Sequence, residues 1–93
     1  MKELYKHVVL KNKITLSVQA SSFHYCTPRT DEFKNWESYD TVEVGFIMNG
    51  ERYVTPPEEW RDYAEESFPS DIYARVPVQL VIDFIKSNGG EMK

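Results

Sequence analysis

Apolar and polar side chains alternate without a break through Ile14-Thr15-Leu16-Ser17-Val18-Gln19-Ala20. Successive side chains of a strand point to opposite faces, so this run requires a sheet with one face buried and the other wet. The whole chain has 93 residues, enough for one core and a single domain spanning 1–93. Every other element is therefore expected to cover or extend that one sheet.

A shorter β-rich piece, His7-Val8-Val9-Leu10, precedes the run, with Lys11-Asn12-Lys13 as the turn between them. Thr41 to Met48 reads as another strand, with Val42, Val44, Phe46 and Met48 sharing its inner face. Asn49-Gly50 follows, a dipeptide suited to a type I′ hairpin turn, and Glu51 to Val54 return as the partner strand. Thr55-Pro56-Pro57-Glu58 then reads as a helix start, with a hydroxyl to cap, proline in the first turn and glutamate to reach back. That helix is expected from Pro56 to Ser67, with Trp60, Tyr63 and Ala64 facing inward. Ile72 to Val76 is a further short strand. Pro77 opens a second helix that Asn88-Gly89-Gly90 stops. Its Leu80, Val81, Phe84 and Ile85 are expected at the centre of the core, against Leu16, Val18, Val44 and Phe46. The predicted fold is α+β: a small antiparallel β-sheet packed by two short helices in the order ββββαβα.

Charge narrows the partners. Residues 1–30 carry five bases and one acid, while residues 31–93 carry six bases and fourteen acids. A chain acidic over two-thirds of its length is a poor fit to direct nucleic-acid binding, since phosphates reward Lys and Arg. It suits a basic surface instead, including the surface of a protein that itself binds nucleic acid. No apolar run approaches the ~20 residues of a membrane span, and the amino end lacks the apolar stretch of a signal peptide. With one cysteine there is no internal disulfide, and an intracellular, reducing setting is expected. These points predict a soluble cytoplasmic protein without membrane contact.

The residues between Ser21 and Asp40 form a long connection, and it is rich in aromatic side chains: Phe23, Tyr25, Phe33, Trp36 and Tyr39. Connections of that length are often functional. Within it, His24 and Cys26 would share one side of an extended segment. One cysteine and two histidines fall short of the four ligands zinc needs, so no metal and no cofactor is expected. A Cys26 thiolate activated by His24 and Arg29 would make a nucleophile, but no glycine-rich turn or helix start adjoins it to hold an oxyanion. Phosphate-loop, dinucleotide, zincin and serine-hydrolase motifs are missing from the sequence. An enzyme is thus the third reading, and no catalytic residue is assigned. Ligand recognition is the second: His24, Tyr25, Cys26 and Arg29 lining a nucleotide-type pocket, with the homodimer as the form that would give it depth. Against it stands a plain packing role, with Arg29 paired to an acid and the aromatics completing the core.

The first reading rests on Glu58, Glu59, Asp62, Glu65 and Glu66, which at helical spacing fall on one outer face with Arg61 the sole base among them. Carboxylates so arranged can occupy a basic cleft meant for nucleic acid, although a solvated face of a small acidic protein looks the same.

Val18-Gln19-Ala20-Ser21 leading to His24-Tyr25-Cys26-Thr27-Pro28-Arg29 resembles a group of small phage- and prophage-encoded proteins, as do Tyr39 with Val42-Glu43-Val44-Gly45-Phe46 and Tyr73 with Val76-Pro77-Val78. Tyr63-Ala64-Glu65 and Gly89-Gly90 extend the likeness, and the His-Tyr-Cys-Thr-Pro-Arg run is its specific part. The resemblance implies a mobile-element protein in a bacterial cytoplasm and carries no catalytic residue with it. By analogy with small acidic phage proteins, it also suggests a non-enzymatic, anti-CRISPR-like inhibitor of a host or defence-system protein.

Overall fold

The computed structural model describes residues 4–92. Five antiparallel strands, β1 (Val8–Val9), β2 (Ile14–Gln19), β3 (Thr41–Asn49), β4 (Arg52–Tyr53) and β5 (Ile72–Pro77), form one sheet with the path β1-β2-β3-β4, and β5 also pairs with β3. One α-helix, α1 (Val78–Ser87), follows β5 directly. Two 3-10 segments, Trp36–Ser38 and Glu58–Tyr63, complete the α+β fold.

The alternation in β2 does what its chemistry requires. Ile14, Leu16 and Val18 are buried, while Thr15 and Ser17 are partly exposed. Gln19 is buried too, and its amide is satisfied: Nε2 donates to the Tyr5 carbonyl at 2.9 Å and Oε1 accepts from the Tyr5 N–H at 2.9 Å. The β1–β2 turn bends through Lys13, whose φ of 73° lets the Lys13 N–H donate to the Leu10 carbonyl.

In β3 the expected alternation breaks. Val42 and Val44 are fully buried, but Phe46 is 49% exposed and Ile47 takes the inward position. Thr15 pairs with Met48 and Ser17 with Gly45, so β3 carries one extra residue between these pairs. That bulge, with Phe46 at φ 53°, reverses the faces of every residue after it. Gly45 permits it: a Cβ there would lie 3.3 Å from Ile72 Cδ1. A second bulge lies on β5 at Arg75 (φ 51°), between the Val42–Val76 and Val44–Tyr73 pairs. The hairpin turn also differs from a I′ turn. Asn49 pairs with Arg52, leaving Gly50-Glu51 as the loop, and positive φ occurs at Gly50 alone, the pattern of a II′ turn.

The helix expected from Pro56 to Ser67 is instead a 3-10 helix over Glu58–Tyr63, and Thr55 does not cap it. Two consecutive prolines hold the entry extended, with Pro57 at ψ 154°, so the helix starts beyond the reach of the Thr55 hydroxyl. At the other end Ala64 pairs with Tyr73, and the Glu65 N–H donates to the Ile72 carbonyl at 3.0 Å. The chain is thus drawn into the sheet edge after Tyr63. With three residues per turn, Trp60 and Tyr63 eclipse and face inward.

Helix α1 stops where Asn88, Gly89 and Gly90 predict: Gly89 and Gly90 have φ of 91° and 86°, and the Gly90 N–H donates to the Ile85 carbonyl. Val81 and Phe84 are its buried residues, whereas Leu80 and Ile85 are half-buried at the rim of the core. Trp60, fully buried, is the hub between sheet and helix. Its ring packs against Tyr73 and Phe84, each with a centroid separation of 5.6 Å. The displaced Phe46 takes no part.

Candidate functional site

The run from His24 to Arg29 does not gather into a pocket. The Cys26 N–H donates to the His24 carbonyl at 2.9 Å, a tight turn that separates the two side chains expected on one side. Cys26 is 1% exposed, and its thiol donates to the Ser21 carbonyl at 3.1 Å. The Ser21 hydroxyl accepts from the Phe23 N–H and lies 2.7 Å from His24 Nδ1. His24 and Cys26 are therefore spent on closing the turn. Backbone pairing fastens the neighbouring residues: Thr27 exchanges hydrogen bonds with Thr41, and the Tyr25 carbonyl accepts from the Arg75 N–H at 3.0 Å. Tyr25 remains 45% exposed with the Arg75 guanidinium 5.4 Å over its ring, and Arg29 is exposed.

Most aromatic residues of the same connection serve packing. Trp36 and Tyr39 are buried, Phe33 meets Tyr39 edge-on at 4.9 Å, and the Tyr5 hydroxyl donates to the Phe33 carbonyl. Ser22 clamps the loop by donating from both its N–H and its hydroxyl to Asp31. Phe23, 71% exposed, joins Tyr25 as an exception.

The five carboxylates of the acidic segment are all exposed. They do not form the single helical face expected of them, because the segment is a 3-10 helix followed by one bridge residue, Ala64, and a run of bends. Glu58 and Arg61 are eclipsed and form an ion pair, while Glu59 and Asp62 make a second eclipsed row. Glu65 and Glu66 continue along the edge of β5. The hydrogen bond from Arg61 is the main cause that holds the Glu58 carboxyl below its ordinary pKa, and the same bond raises that of Arg61. Arg61 also lies 4.7 Å from the centroid of the Phe68 ring. It neutralises Glu58 and leaves Glu59, Asp62, Glu65 and Glu66 exposed and without an ion-pair partner among the described residues.

No family model, curated protein or solved structure matches the chain. Among the described residues no three His, Cys, Asp or Glu side chains gather as metal ligands, and no helix is long and apolar enough to cross a membrane. Three features escaped sequence reasoning: the outward Phe46, the edge residue Tyr53 (59% exposed), and an open cavity of about 290 Å³ lined by Tyr53, Pro69, Ser70 and Asp71. Gly45 was the available signal for the first, since glycine inside a strand often marks a bulge.

Proposed function

We propose that this chain is a non-enzymatic binding protein that docks its acidic strip, Glu58, Glu59, Asp62, Glu65 and Glu66, on a basic surface of another protein. The observation that carries the reading is the concentration of charge: residues 55–71 hold six acids against Arg61. Their side chains stand in solvent, and the Glu65 N–H ties this segment to the Ile72 carbonyl of β5. Exposed like charges on a fixed scaffold cost little to desolvate at a rim and steer an oppositely charged partner into register. The buried, hydrogen-bonded Cys26 weighs against a thiolate enzyme, and the dispersal of His24, Tyr25, Cys26 and Arg29 weighs against a nucleotide pocket built from them.

The setting we propose is that of the phage and prophage proteins the His24–Arg29 run resembles: a bacterial cytoplasm, with a host or defence-system protein that handles nucleic acid as the target. The chain would then occupy the cleft that phosphates use. Capture from a bacterial lysate at ~50 mM and ~500 mM salt tests it, because the Debye length shrinks from roughly 14 Å to 4 Å across that range. The reading predicts a nucleic-acid-binding partner held at low salt and released at high salt. A partner retained equally at both, or a partner that competing DNA or RNA fails to displace, contradicts it.

A further inference from the structure

Two strands share one flank of β3. β5 pairs with it from Thr41 to Gly45, and β4 pairs with it at Met48 and Asn49. Between them the flank is held by two single hydrogen bonds, the Phe46 N–H to the Asp71 carbonyl and the Val54 N–H to the Ile47 carbonyl, each 2.8 Å. This is also where the bulge turns Phe46 outward. The 290 Å³ cavity opens at this break in the sheet edge, with Tyr53 and Pro69 as apolar walls. Ser70 has its polar groups engaged, the N–H with the Tyr73 hydroxyl at 3.0 Å and the hydroxyl with the Ile72 N–H at 3.2 Å. Asp71 is the one charged residue on the wall; it is exposed and makes no ion pair among the described residues.

Tyr53 and Asp71 are two of the four residues that line this small open cavity, and a tyrosine with an aspartate is a pair suited to a cation. The ring face attracts positive charge, and the carboxylate accepts charge-assisted hydrogen bonds. A guanidinium meets both demands at once, since it is planar, stacks on tyrosine and forks onto a carboxylate, whereas an ammonium is a hydrated point charge. Arg52, the neighbouring base, is adjacent to Tyr53 on β4, where successive side chains alternate in direction, and it makes no ion pair with Asp71 among the described residues. The five acids of Glu58 to Glu66 precede Asp71 closely in the chain and add charge of the right sign.

We propose that this notch receives an arginine side chain presented by the basic partner. The proposal rests on the acidic-strip reading and adds to it the single side chain that would anchor the contact. Titrating the ¹⁵N-labelled chain with N-acetyl-arginine methylamide tests it, with the citrulline and lysine analogues as controls. Saturable shifts are expected at the amides of Tyr53, Ser70 and Asp71, with binding at least tenfold weaker for uncharged citrulline. Asp71→Asn should weaken binding at least fivefold and Tyr53→Ala should abolish it, while Tyr53→Phe should keep it. Both positions are exposed, and the fold of each variant is checked by its unshifted core amides. Shifts that do not saturate, equal binding of citrulline, or an undiminished response in Asp71→Asn would overturn the notch; equal binding of lysine would overturn the guanidinium assignment. Salt-dependent partner capture that survives such a failure removes the notch alone, and saturable arginine binding without such capture removes the strip alone.

Discussion

Phe84 and Phe46 both read as core residues from their spacing, and the structure separates them. Phe84 is 6% exposed and packs against the Trp60 ring; Phe46 is 49% exposed on the far side of a bulge. Truncating a buried phenylalanine to alanine removes its transfer free energy and leaves a cavity, together about 3–5 kcal/mol. Burying a whole phenylalanine side chain is worth about 1.5–3 kcal/mol, so a ring half in solvent loses only ~1 kcal/mol. In a domain of this size each kcal/mol moves the melting midpoint by roughly 4–8 °C. Phe84→Ala is therefore expected to lower Tm by at least ~12 °C, and Phe46→Ala by no more than ~8 °C. Thermal unfolding followed by circular dichroism at matched concentration reads both. Equal losses would refute the reasoning, because they would place the Phe46 ring inside and restore the unbroken alternation of β3.

The same packing and charges lead to three further expected outcomes. Trp60 is fully buried, and its Nε1–H has no partner among the described residues, so Trp60→Phe should cost about 1–2 kcal/mol in urea unfolding against about 3–5 kcal/mol for Trp60→Ala; a Trp60→Phe cost of ~3 kcal/mol or more would mean that the indole N–H is bonded. Cys26 should react with a thiol reagent far more slowly in the native protein than in urea, and rapid native labelling would contradict its burial. Glu58 should titrate below the usual carboxylate range and return to it in Arg61→Ala, as read by carboxyl NMR; an unmoved titration would show that the ion pair does not form in solution. Because folding lowers this pKa, the stabilisation is present above the unfolded value and fades as pH falls through the folded one, and solvent screening keeps it small.

What the sequence discloses here is what short-range chemistry decides. The alternation from Ile14 to Val18 and the stop at Asn88-Gly89-Gly90 each depend on neighbours in the chain, and both appear where expected. Phe46 misleads because its face is decided by the register between β2 and β3, not by its own spacing. The acidic segment misleads for a related reason. Its capping signals are genuine helix chemistry, but pairing of Ala64 with Tyr73 competes for the backbone and shortens the helix to a 3-10 segment. Exposure of the five carboxylates was legible from their charge; the 3-10 and bent backbone that carries them was not. The notch was invisible, since Tyr53 and Asp71 come together only through their separate attachments to β3.

If the acids of residues 58–66 are the docking surface, contact depends on where the acids lie and not on how many there are. Two charge-matched variants of the full chain isolate that point. One neutralises the strip (Glu59→Gln, Asp62→Asn, Glu65→Gln, Glu66→Gln), and the other neutralises exposed acids elsewhere (Glu32→Gln, Glu37→Gln, Asp83→Asn, Glu91→Gln). Affinity for the captured partner is measured for both by calorimetry at ~50 mM salt. At least a tenfold loss is expected in the strip variant and less than a threefold loss in the control. Equal losses in the two, or an intact affinity in the strip variant, would contradict it.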